Sequence, residues 1–200
     1  ILLSLLIFCV MLNTPDLTGQ TTYSAHSPDG MMSLKVLHSE NQMLYYSIYY
    51  KEKKVIEPSR LGLTLSKPDL DFMACNVLSA DSIEVDETWQ PVWGEVSSVR
   101  NHYNELKLIV KNKWGPGIQV QITFRVFDDG VGFRYEFPKQ DELNHFIVAK
   151  ENTQFNVAGD HKTFWIPGDY DSNEYAYQTT KLSEVDAISA SNSEPAISVK

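Results

Sequence analysis

Residues able to do chemistry gather in two stretches of the 200-residue chain. The first, "GDHKTFWIPGDYDSNEYAY" at 159–177, crowds Asp160, His161, Asp169, Asp171 and Glu174 together with Trp165, Tyr170, Tyr175 and Tyr177, and is broken by Pro167 and two glycines. Three readings fit it: a metal site, a sugar platform or a decorated acidic loop. Calcium takes roughly six to eight oxygen ligands, and Asp169, Asp171 and Asn173, spaced by two, resemble the opening of a calcium loop. The EF-hand pattern then breaks, because Glu174 stands where glycine is required and Thr180 where the closing glutamate belongs. For such spacing a solvated acidic loop is the commoner outcome.

The second stretch is "DETWQPVWGEVSSVRNHYNEL", residues 86–106. Trp89 and Trp93 flank a proline and are followed by Arg100, Asn101 and His102. One face of a pyranose presents C–H groups that suit an aromatic ring, while its hydroxyls take paired hydrogen bonds from amide and charged side chains. These five residues are candidate sugar contacts; the competing reading is that the tryptophans are ordinary core. His102 and Glu105 form H-x-x-E without a second histidine at ligand spacing, so zinc has no support. There is no G-x-S-x-G, P-loop or dinucleotide fingerprint. With 26 acidic residues a carboxylate pair for glycoside hydrolysis is always available on paper, and sequence does not give its separation.

The elements that must position these residues are strands. In "IQVQITFRVF" (118–127) Ile118, Val120, Ile122, Phe124 and Val126 share one face, opposite Gln119, Gln121, Thr123 and Arg125, which predicts a half-buried antiparallel strand. After "DDG", "VGFRYEF" alternates again, so the two runs predict a hairpin. Weaker strand signals lie at 33–37, 44–50, 61–65, 105–111 and 145–149, separated by turn signals at 27–30, 51–54, 66–70 and 114–117. Many short strands and no long repeat predict an all-β chain: a large sandwich of antiparallel strands. Strand-like "AISVK" (196–200) is expected to be the point at which that domain is cut.

A chain of this size buries roughly 70% of its unfolded surface without covalent staples. Its 17 basic and 26 acidic residues give −9, with no basic stripe, which argues against nucleic acid. The apolar run "ILLSLLIFCVML" reaches only about 18 Å as a helix, short of a bilayer core of about 30 Å. It is read as a partial signal peptide over residues 1–20, lacking an initiator Met, followed by a domain over 21–200 with no membrane span. Export, most readily to a bacterial periplasm, then leaves Cys75 as a lone thiol once Cys9 is removed.

Together "DETWQPVWGE…RNHYNEL", "FRVFDDGVGFRYEFP" and "GDHKTFWIPGDYDSNEYAY" resemble the N-terminal domain of glycoside hydrolase family 97, the bacterial exo-acting α-glucosidases and α-galactosidases. The resemblance implies a β-supersandwich that precedes a catalytic (β/α)₈ barrel, with α-glucosides favoured as substrates. It implies that the catalytic residues lie on that barrel and none in this chain. It also implies a calcium ion shared between domains, for which the G-D-Y-D-x-x-E-Y segment offers Glu174, the barrel supplying the other carboxylates. On this basis Asp169 and Asp171 shape the turn and Trp165 is core. A free-standing carbohydrate-binding sandwich and a ligand-free structural β-protein are the alternatives.

Overall fold

The computed structural model describes residues 19–168 and 174–186. Cys9 and the apolar run at 1–12, the residues Asp169, Tyr170, Asp171 and Asn173 of the expected turn, and the segment 196–200 expected to be strand lie outside the described residues. The chain divides into two compact units, Ile1–Asn156 and Val157–Lys200.

In the first unit β1 (Thr21–His26), β2 (Met32–His38), β3 (Leu44–Tyr50) and β4 (Lys53–Arg60) form a four-stranded sheet in chain order, each strand antiparallel to the next. After the β5 (Leu63–Lys67) and β6 (Asp69–Asp71) hairpin come β7 (Cys75–Trp89), β8 (Val99–Asn112), β9 (Gln119–Val126) and β10 (Val131–Glu136). These last four make the second four-stranded sheet, ordered β10-β9-β8-β7. β11 (Ile147–Glu151) pairs antiparallel with β5.

The alternation read from the sequence is what joins the sheets. Ile118, Val120, Ile122, Phe124 and Val126 are all buried, and they meet Leu34, Val36, Leu44 and Tyr46 of the first sheet in one core. Tyr46 is the hub: its ring lies 5.6 Å from Phe133 and 6.5 Å from Phe124, in the tilted geometry that aromatic quadrupoles prefer. Its hydroxyl donates to the Gln154 carbonyl at 2.7 Å, so the buried O–H keeps a partner. Burial pushes that hydroxyl up to about 12, and it does the same to the Cys75 thiol, which is free and buried.

The expected hairpin forms as β9 and β10, with Val131 opposite Val126. The "KEKK" turn signal is half right: only Lys51 and Glu52 turn, both at positive φ, as a two-residue hairpin loop requires, and the two lysines already belong to β4. β4 carries Pro58 and lies at the sheet edge, where a missing ladder N–H is tolerated.

The second unit pairs β12 (Lys162–Trp165) with β13 (Gln178–Lys181), followed by a 3₁₀ turn at Leu182–Glu184. Asp160 accepts from the backbone N and Oγ of Ser183 at 2.9 and 3.0 Å. The hydrogen bond from the Ser183 N–H is the main reason that Asp160 lies below the ordinary carboxylate value. Trp165, expected in the core, is half-buried, with Nε1 donating to Thr180 Oγ1 at 3.0 Å.

Candidate functional site

The tryptophan-bearing stretch forms an arm. β7 and β8 run for 15 and 14 residues, against a usual strand of about 5–6, and pair from Cys75↔Asn112 at the base to Trp89↔Val99 at the tip. At the base Leu106, Leu108 and Val110 of β8 are buried in the core. Beyond Ala80 every residue of β7 except Val85 is exposed, while β8 stays paired to β9 as far as Asn104, opposite Glu84, so the end from Val85 to Trp89 extends past the sandwich, by about 13 Å at about 3.3 Å per residue.

Past Val85 the hairpin is held by cross-strand pairs. Arg100 grips Asp86 with Nε and Nη2, each at 2.8 Å, the two-pronged fork that guanidinium and carboxylate geometries favour. That hydrogen bond is the main reason Asp86 lies below the usual carboxylate range and Arg100 above its ordinary value. Asn101 Nδ2 donates to Glu87 Oε1 at 2.8 Å. His102 Nε2 lies 3.2 Å from Glu84 Oε1, which requires the proton on Nε2. At the root Asn104 Nδ2 donates to the His26 carbonyl at 2.7 Å.

The structure therefore brings Trp89, Arg100, Asn101 and His102 onto one hairpin end and puts Trp93 in the connecting loop. The reading of the tryptophans as ordinary core is excluded, since Trp89 is 52% and Trp93 87% exposed, beside Val92 and Val96, which are also exposed. Each polar candidate is already bonded to a carboxylate of β7. Glu84, Asp86 and Glu87 were not singled out from the sequence, because apolar alternation in the outer half of β7 is confined to Ile83 and Val85, too short a run to give its register. The arm can offer ring faces and fixed polar groups to a ligand. Its bonded carboxylates are not arranged as a general acid and base.

Glu174 lies in the second unit, four residues before β13, and is exposed. Its carboxylate can give calcium at most two oxygens. Among the described residues no group of three or more His, Cys, Asp or Glu gathers as a metal site, so these residues alone do not fit a calcium shell.

The fold and the arm define a class: an antiparallel β-sandwich domain with an aromatic-tipped hairpin. The chain belongs to the glycosyl-hydrolase 97 N-terminal family, whose model matches residues 25–198. It is 29% identical over 195 residues to a retaining alpha-galactosidase of Bacteroides thetaiotaomicron, covering 92% of this chain and 28% of that protein. A Glycoside Hydrolase Family 97 enzyme from Pseudoalteromonas sp. strain K8 in complex with panose superposes with a TM-score of 0.74 at 33% identity, over 81% of this chain and 25% of that one. The same organism's family 97 enzyme in complex with acarbose gives 0.72 at 33%, over 79% and 24%. The chain thus spans about a quarter of the length of the relatives it matches. Among the described residues no helix is long and apolar enough to cross a membrane.

Proposed function

We infer that the chain serves as the N-terminal domain of a calcium-dependent exo-acting α-glycosidase that hydrolyses terminal α-linked sugars, with its catalytic groups on a barrel outside these residues. The family match over residues 25–198 carries this reading. The preference for α-glucosides rests on the 33% identity to enzymes holding panose, itself an α-glucoside, and acarbose, against 29% to the alpha-galactosidase. In this reading the hairpin arm forms part of the active-site wall, with Trp89, Trp93, Arg100, Asn101 and His102 near the sugar. Glu174 would hold a calcium whose other oxygens come from the barrel; such an ion supplies positive charge that orients substrate hydroxyls. The apolar run at 1–12 and the polar residues after it support export to the periplasm.

The test is turnover of p-nitrophenyl α-glucoside and α-galactoside by the protein expressed from its full open reading frame, with calcium present or stripped by chelator. Calcium-dependent hydrolysis, faster on the glucoside, is expected. Calcium titration into stripped protein should be weakened by Glu174→Gln; tight binding lost on changing Asp169 and Asp171 but not Glu174 would overturn the shared-ion assignment. A second reading, a stand-alone carbohydrate-binding sandwich, is favoured by the exposed Trp89 and Trp93. It predicts saturable binding of maltooligosaccharides with no turnover.

A further inference from the structure

The outer face of the second sheet carries a polar groove that the arm does not share. Thr123, Arg125, Phe127, Gly132, Phe133 and Arg134 line it, with a volume of about 290 Å³, at the small end of ligand pockets. Gly132 pairs directly with Arg125. Its φ lies outside the left-handed region, and a Cβ there would meet nothing within 4 Å. Neither backbone nor packing therefore calls for glycine in this strand, where glycine ordinarily weakens pairing and marks a close approach. What glycine supplies is the open floor of the groove.

The walls are held in place. Glu105, only 6% exposed although it lies on the outer face, accepts from Arg125 Nε at 3.0 Å, and Lys107 Nζ stands 3.8 Å away. The Arg125 guanidinium lies 4.5 Å over the Tyr103 ring, which packs 5.1 Å from Phe127. Because Glu105 engages Nε, the planar Nη groups remain as donors. On the far side Glu136 accepts from Thr123 Oγ1 at 2.9 Å, Gln121 Nε2 at 2.6 Å and Arg134 Nη2 at 2.9 Å. Each guanidinium at the groove thus has a carboxylate beside it, and with Lys107, which shares Glu105, the local excess is a single positive charge. An anion would meet Glu105 and Glu136 as well as the arginines; a neutral polyol can accept from the guanidiniums, donate to the carboxylates and lay C–H groups against Phe127.

We propose that this groove is a binding site for neutral sugar rings on the outer face of the β8-β9-β10 sheet. The proposal is argued from the groove's own lining and does not depend on catalysis by a partner domain. The probe is β-cyclodextrin, a neutral ring of glucose units with no chain end for an exo-acting site, titrated calorimetrically into the full-length protein and followed by hydrogen exchange; D-glucuronate is the anionic arm. Saturable cyclodextrin binding is expected, with slowed exchange over Gln119–Glu136 and no comparable response to glucuronate. Gly132→Val, whose Cβ would enter open space at the floor, should weaken binding at least about tenfold with Tm unchanged or raised. Arg125→Lys, which keeps the charge but not the fork, should weaken it less, and Trp93→Ala should leave it intact. Absence of binding up to about 10 mM, binding indifferent to Gly132→Val, loss of binding in Trp93→Ala, or a preference for glucuronate would each overturn the proposal.

Discussion

One hairpin has two different halves. At its base β8 sends Leu106, Leu108 and Val110 into the core, while at its tip the same pair of strands exposes Trp89, their connecting loop exposes Trp93, and the strands are joined by polar side-chain pairs. The backbone ladder is continuous through both; what differs is what lies behind it. The base draws its stability from apolar burial, worth about 1.5–3 kcal/mol for each large side chain. The tip receives almost none of this and depends on cross-strand contacts, which leaves its rings available to another surface. Core packing and exposed rings are thus separated along a single element, and substitutions can test how complete the separation is.

The largest effect is expected in the body. Phe124→Ala removes a fully buried ring that Tyr46 and Phe133 pack against and should cost about 3–5 kcal/mol in urea unfolding. A loss below about 1 kcal/mol would mean that the core is not where stability resides. Glu105→Ala, at the hairpin root, should cost about 1–3 kcal/mol, because the half-exposed Arg125 and Lys107 lose a buried acceptor. The smallest effect belongs to Arg100→Gln on the arm, where the partner carboxylate is solvent-exposed and such pairs contribute little; its Tm should shift less than that of either variant above. Asp86 has a depressed folded pKa, so the pair's contribution is present at neutral pH and lost as pH falls through that value, below the unfolded value of about 3.9. The difference between Arg100→Gln and the parent should therefore vanish in acid; a difference that grows there would contradict the pairing.

The sequence showed the body more clearly than the arm. Residues 118–127 alternate because one face of β9 is core, and "LYYSIYY" coincides with β3 for the same reason. β7 was missed because strand patterning records burial, and "SADSIEVDETW" buries almost nothing; its pairing partner on β8 fixes its conformation instead. Trp89 and Trp93 were legible as candidates by residue type, but only the structure separates an exposed ring from a core ring. Arg125 was read as part of a solvent face, and its groove needed the strand register that sets it across from Gly132. For Glu174 the structure adds its exposure, four residues before β13.

The most direct test of the division between body and arm is Trp93→Ala in the protein expressed from its full open reading frame, measured for both Tm and kcat/KM on p-nitrophenyl α-glucoside. The predicted result is a stability change within about 0.5 kcal/mol together with a fall in kcat/KM of at least about tenfold. Unchanged turnover, or a loss of turnover that only tracks a collapse in Tm, would contradict it.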